Sequence, residues 1–401
     1  MSGLGDALGG DGRAALRDAI GLFVSLRLVF GLFALYVWAT AQLPGPCHFE
    51  LARNGWQTVP PLADGGAAFP LVGVWQRWDA CWYTKIATYG YETGEHAANF
   101  WPLFPLLTGI VGRLLVSSMA LGGLLVSAVA YVAAMTGLRR LVSVDVDDDV
   151  AASAVIAISI FPTAFFFFAP FTESLFLALS VWSILGARRR LWWLAGLMGL
   201  LAALTRIQGL FLVLPLGWEA VQAWRGSDRR FVAGGLPSAG EILPAGLAVL
   251  APLAGFVGFV VFSAAVAGET PIDTQRAWGG TDLHPPWEVA AASWDWAVGR
   301  HDPLQAFNLL TLILFAVVSV VGIRRVPVAY SLYAIPQILL LAVRLQPTPL
   351  TSTARYLLVV FPVFVILSQV RSRWLRFAWG VASVLLLALL LEAFLKGSYV
   401  A

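Results

Sequence analysis

The stretch QRWDACWYTKIATYGY, Gln76 to Tyr91, sets one carboxylate, Asp79, among tryptophans and tyrosines. Read as a helix, it puts Trp75, Trp78, Trp82, Ile86 and Tyr89 on one face, with Asp79 at the border of that face and Arg77, Thr84 and Lys85 directed elsewhere. A carboxylate against aromatic surface is partly desolvated, while a nearby cation favours its charged form. Two roles are open to Asp79: a proton acceptor, or one half of an ion pair with Arg77 or Lys85. Arg206, Arg344 and Arg355 fall at turns between apolar segments. There an arginine is either a functional cation or a side chain snorkelling to the headgroups. Glu173, in APFTES, opens a helix after Pro170; it suits the helix dipole or a hydrogen bond to a sugar hydroxyl. Trp278, Trp287, Trp294 and Trp296 share a segment with Asp273, Gln275, Asp282 and His284, which fits a sugar or lipid headgroup, or a loop resting on the membrane interface. No ligand spacing demands a metal, so no metal and no cofactor is expected. P-loop and dinucleotide-binding glycine patterns are absent, which argues against a nucleotide-sugar donor.

The elements that must position these residues are helices in a membrane. Of 401 residues, 59% are hydrophobic and 12% charged, against about 25% charged in a soluble domain. Apolar runs of about 20 residues recur, each long enough to span as a helix, and the alternating short strands of a barrel are missing. The expected fold is an all-α polytopic membrane protein: one domain over 1–401 with about eleven crossings. A net charge of +3 gives no reason to expect nucleic acid. Basic clusters at Arg139–Arg140, Arg188–Arg190, Arg225–Arg230, Arg324–Arg325 and Arg371–Arg376 set the orientation by the positive-inside rule, with the N-terminus cytoplasmic. Two long loops then lie outside, about 44–116 and about 268–303, the first holding an interfacial helix over Gln76–Tyr91. Both cysteines, Cys47 and Cys81, are in the first loop. They form either a disulfide closing about 35 residues or two buried thiols.

RWDACWYTKIATYGY followed by FWPLFPLL resembles the first-loop signature of the PIG-V-like mannosyltransferases, the family that includes the second mannosyltransferase of GPI-anchor synthesis. FPTAFFFFAPFTESLFL, LAALTRIQGL and ARYLLVVFPVF resemble later stretches of its bacterial members, in family order and over nearly the whole chain. One departure is TRIQG, where the resemblance implies Thr-Arg-Pro. The resemblance implies a GT-C glycosyltransferase using a polyprenyl-phosphate sugar, mannose in this family's case, at the outer face, with the first-loop acid, Asp79, as catalytic base. A bacterial plasma membrane implies a glycolipid or glycan acceptor other than a GPI precursor.

On this reading the transfer is inverting, and the leaving phosphate is met by Arg206, Arg355, Arg344 and Lys85. Glu173, Trp78, Trp82, Tyr83, Gln275 and Trp278 contact sugar or acceptor. The alternative is a lipid-linked sugar flippase or transporter, which should line a path through several helices with charge. Polar residues here gather on one side, with Arg27 the plain exception inside a helix.

Overall fold

A computed structural model describes residues 10–41, 43, 48–51, 55–58, 69–116, 118–227, 239–280 and 283–400. Apart from an antiparallel hairpin, β1 (His48–Leu51) with β2 (Gly55–Thr58), the regular structure is helical. Among the described residues, five helices are long and apolar enough to cross a membrane, over Gly12–Thr40, Met119–Val142, Ile242–Val266, Pro303–Val321 and Arg373–Leu395. In chain order the helices are α1 (Gly10–Thr40), α2 (Asp79–Tyr89), α3 (Leu103–Val111, ending in a π turn), α4 (Met119–Val142), α5 (Asp148–Ser159), α6 (Glu173–Arg188), α7 (Trp192–Ala203) and α8 (Val213–Ser227). They continue as α9 (Ala239–Val266), α10 (Pro271–Ala277), α11 (Pro286–Gly299), α12 (Pro303–Val321), α13 (Val328–Val343), α14 (Thr353–Leu357), α15 (Phe361–Ser368) and α16 (Arg373–Leu395).

Helices lie within the remaining segments expected to cross, but several are short. α5 has 12 residues and α15 has 8, rising roughly 18 and 12 Å against about 30 Å of hydrocarbon. α5 stops at Ser159 because Pro162 follows. The next residues, FPTAFFFFAPF, form an irregular buried segment with a single 3-10 turn, Ala164–Phe167, so the expected crossing over 150–168 is cut short. Non-helical backbone at membrane depth must be satisfied by protein. Arg27 donates to the Phe168 carbonyl at 3.2 Å, and Ser127 to that of Phe171 at 3.5 Å. Arg27, the one cation that stood out inside a helix, thus serves this segment. Its rings build the core: Phe165 and Phe166 meet at 4.5 Å, Phe166 and Phe171 at 4.8 Å, and Phe394 of α16 packs on all three.

α6 packs between α4 and α7, and α7 against α9. Small residues allow this approach: a Cβ at Gly196 of α7 would lie 3.0 Å from the Ala248 Cα of α9. α6 runs 16 residues from Glu173 to Arg188, a rise of about 24 Å that holds its two ends well apart. At the Arg188 end, Arg188 pairs with Asp145 and, at 3.3 Å, with Glu219. Arg139 bridges Asp18 and Asp148 there, each at 2.5 Å.

α2 differs from the expected surface helix. Trp75 precedes it in a 3-10 turn and is wholly buried. The helix buries Ala80, Tyr83, Thr84, Lys85, Ile86 and Ala87, so both of its faces are covered and the single aromatic stripe does not form. The second loop is also ordered into helices. Thr270 and Asp273 make a capping box for α10, and α11 presents Trp287 and Trp294 outward.

Candidate active site

Asp79 is the first residue of α2, and the residue before it, Trp78, has φ +53°. That conformation is strained for a bulky side chain. Across the site, Leu350 (φ +48°) and Ser352 (φ +62°) precede α14, which carries Arg355. Tyr399 ties the two strained turns together: its hydroxyl hydrogen-bonds Ser352 at 2.7 Å and its ring meets Trp78 edge-on at 5.0 Å.

Four charged residues from four parts of the chain form one chain of ion pairs. The Arg355 guanidinium donates to Asp79 Oδ2 at 2.5 Å, and its Nε lies 2.8 Å from Glu173 Oε1. The same Glu173 oxygen accepts from Arg206 Nη1 at 2.9 Å. Glu173 is 0% exposed, Arg355 4% and Arg206 6%, whereas Asp79 is 27% exposed and marks the open end. The floor is aromatic: Arg355 lies 5.1 Å from the Phe171 centroid and 5.3 Å from that of Phe166, and Arg206 lies 4.9 Å from Tyr356. Cations over desolvated rings gain electrostatic attraction.

Each side chain is placed by a local irregularity. Arg206 follows α7 in extended backbone (φ −158°, ψ 151°) before a 3-10 turn, Ile207–Leu212. That turn folds back on α7 so tightly that a Cβ at Gly209 would sit 2.4 Å from the Ala203 backbone nitrogen. Glu173 opens α6 as the irregular phenylalanine segment ends.

A cavity of about 360 Å³ opens above the ion pairs, lined by Asp79, Tyr83, Arg206, Gln275, Trp278, Arg344 and Arg355 among others. Residues at sequence positions from 79 to 355 are thus brought together. Arg344 donates to Gln275, whose side-chain amide donates to Asn99. Phe100 stacks on Trp82 at 5.2 Å and meets Trp278 edge-on at 5.7 Å, forming an aromatic wall. Burial, with the charge of Asp79 second, holds the Tyr83 hydroxyl above the usual phenol range. Tyr399 is held up in the same way and for the same reasons in the same order. Both phenols line the cavity and stay protonated, able to donate a hydrogen bond.

Four expected site residues stand outside the cavity lining; Glu173, expected to contact sugar or acceptor, is wholly buried beneath it, with Arg206 and Arg355 as its partners. Lys85 lies outside the cavity lining, in a buried ion pair with Glu95 at 2.5 Å and with its ammonium 5.0 Å from the Trp82 centroid. Trp82 stands behind Phe100, and Trp78 packs on Tyr399; neither lines the cavity. Asp79 pairs with Arg355 in place of the Arg77 or Lys85 considered from sequence. Cys81 carries no free thiol, and Cys47 lies outside the described residues. Among the described residues no group of three His, Cys, Asp or Glu is placed to hold a metal ion. Asn99, Gln208, Tyr356 and Tyr399 also line the cavity and were not expected there. Asn99 adjoins FWPLFPLL, and Gln208 and Tyr356 lie within LAALTRIQGL and ARYLLVVFPVF, a usable signal; Tyr399 offered none.

A family profile described as Mannosyltransferase (PIG-V) matches residues 17–223, over half of the 401. No curated protein and no solved structure matches the chain. Asp79, Glu173 and Arg206 fall inside the matched span, while Arg344 and Arg355 reach the same cavity from beyond it. With its membrane-length helices and this match, the chain belongs to the PIG-V mannosyltransferase family and is an integral membrane glycosyltransferase.

Proposed function

We propose that this enzyme transfers mannose from a polyprenyl-phosphate donor to a glycolipid or glycan acceptor at the outer face of a bacterial plasma membrane. The observation that carries the reading is the chain Asp79–Arg355–Glu173–Arg206 at the base of one cavity. It offers what a single displacement needs: an accessible carboxylate for the acceptor proton and two arginines for a leaving phosphate. Arg344, at the cavity wall, is a third cation in reach of an anionic donor. The acceptor oxygen attacks the anomeric carbon as Asp79 takes its proton. The bond from that carbon to the phosphate oxygen breaks, and polyprenyl phosphate leaves with the electron pair towards Arg206 and Arg355. The sugar configuration inverts, and no covalent enzyme intermediate forms.

Glu173 holds the two arginines side by side, so their positions do not depend on the donor. Phosphate at Arg355 competes with Asp79 for the guanidinium and frees the carboxylate to accept a proton. Gln275, Trp278 and Tyr83 line the rest of the cavity and suit sugar hydroxyls and the apolar sugar face. About eleven crossings, the positive-inside orientation and an extracytoplasmic cavity complete the reading.

The test is purified protein with radiolabelled polyprenyl-phosphate mannose and a membrane glycolipid extract, followed by identification of the labelled product. Asp79→Asn keeps size and hydrogen bonding and should reduce transfer about 100-fold or more with donor binding retained. Near-normal turnover in a folded Asp79→Asn enzyme would end the base assignment. If labelled donor crosses the bilayer with no product formed, the protein is a flippase instead.

A further inference from the structure

A second concavity lies far from the ion pairs. α16 runs from Arg373 to Leu395, and the residues after it return to the active-site cavity through Tyr399. With 23 residues this helix rises roughly 34 Å, so its first turns are at the opposite end of the protein. There α5, α15 and the start of α16 enclose a groove of about 600 Å³. Ile156, Ile160, Leu367, Val370, Leu375 and Phe377 make its walls apolar.

Two features distinguish it from a greasy seam between helices. Arg373 and Arg376 line the groove, Arg371 is adjacent, and none of the three has an ion-pair partner among the described residues. Arg325 belongs to the same end, since Gln369 donates to its carbonyl at 3.3 Å. Asp149, one turn before Ser153 on α5, forms no ion pair with them. Further in, Trp379 lines the groove, and its indole N–H is buried without an acceptor. A buried donor left unpaired is costly and points to an acceptor supplied from outside the chain.

The spacing matches a phospholipid. Trp379 is six residues beyond Arg373, roughly 9 Å along the helix. The polar layer flanking the hydrocarbon is about 5–8 Å deep. Arginines at headgroup level and an indole N–H at its base therefore face a phosphate and an ester carbonyl respectively. The outer surface of α16 beside the groove, with Leu375, Phe377, Val381 and Leu385 exposed, is apolar and suits acyl chains.

We propose that this groove is a binding site for an anionic phospholipid, with its phosphate at Arg373 and Arg376, an ester carbonyl accepting from Trp379, and its chains against α5 and α16. The site is separate from the proposed transfer chemistry and does not depend on it.

The test titrates purified protein with dioleoyl phosphatidylglycerol or dioleoyl phosphatidylcholine and counts bound lipids by native mass spectrometry. The variants are Arg373→Gln/Arg376→Gln and Trp379→Phe. The wild type should bind phosphatidylglycerol more tightly than phosphatidylcholine. Each arginine near a lipid surface contributes about fivefold in affinity for a net anionic headgroup, so the double variant should lose about 30-fold for phosphatidylglycerol and much less for phosphatidylcholine, whose choline ammonium offsets the phosphate charge. Trp379→Phe should weaken both lipids, since both carry the ester. Equal affinity for the two lipids in the wild type would overturn the proposal, as would an unaltered preference in the double variant. Glycerol phosphate alone should not compete; if it does, the site reads an ion and not a lipid.

Discussion

Arg355 holds two carboxylates at once, Asp79 at 2.5 Å and Glu173 at 2.8 Å, and the two acids differ sharply in exposure. Their replacement should therefore read out differently. Glu173→Gln leaves Arg206 buried without a counter-charge and Arg355 with Asp79 alone, and breaking a buried pair costs about 3–5 kcal/mol. We predict a clear fall in the thermal unfolding midpoint in detergent, together with loss of transfer. Asp79→Asn, at the open end, should move that midpoint far less while reducing turnover about 100-fold or more. An equal midpoint loss in both would make Asp79 a structural partner of Arg355. Arg206→Ala and Arg355→Ala should each weaken donor use about 10- to 100-fold, the range of one charged hydrogen bond, read as donor KM. The acid and its aromatic setting were legible in the sequence, but its partner was not. Helical spacing ranks only near neighbours, so Arg77 and Lys85 stood out, whereas Arg355 lies 276 residues away. Lys85 was already matched to Glu95, a pairing made by the turn after α2 that no periodicity reveals.

At the scale of the element, the site hangs on interruptions of helices more than on helices. Arg206 depends on the turn that brings Gly209 against the end of α7, with no room for a methyl group. Gly209→Ala should cost about 1–3 kcal/mol by overpacking and displace Arg206. We expect donor KM to rise more than kcat falls; an unchanged KM would show that the turn absorbs the methyl without moving the arginine. α10 carries Gln275 and is started by its capping box. Hydrogen bonds from Thr270 hold the exposed Asp273 below its ordinary 3.8. This support is complete above that ordinary value and is lost as pH falls through the lowered one. Hydrogen exchange over 271–277, corrected for intrinsic rates, should therefore lose protection on acidification, and Asp273→Asn should lack that transition. Such features were beyond the sequence because periodicity finds regular helices. The segment FPTAFFFFAPF read as the end of one crossing and a turn, since nothing in an apolar run announces a buried 3-10 turn.

Across the whole molecule, the apolar runs located the helices: among the described residues, five of those expected to cross are of membrane-spanning length. Shortness of α5 and α15 was hidden because Pro162 and Pro362 sit within apolar runs that hydropathy reads as continuous. The separation of the two ends also follows from α6, with Glu173 at one end and Arg188 at the other. Reporters fused after Arg140, Arg190 and Arg325 should be cytoplasmic, and a tag at Gly280 should be accessible from outside. A cytoplasmic tag at Gly280 would invert the map and move the cavity to the inner face.

The long separation within the ion-pair chain has a consequence for the making of the protein. Ribosomes add about 5–20 residues per second, so Arg355 emerges roughly 15–60 s after Asp79. Glu173 gains Arg206 within seconds of its own synthesis, but its second cation arrives much later. For that interval the nascent chain holds an unfinished charge cluster and no complete centre. On the proposed reading, competence is therefore withheld until the segment bearing Arg355 is in place, and a chain halted before it carries an acid whose partner was never translated.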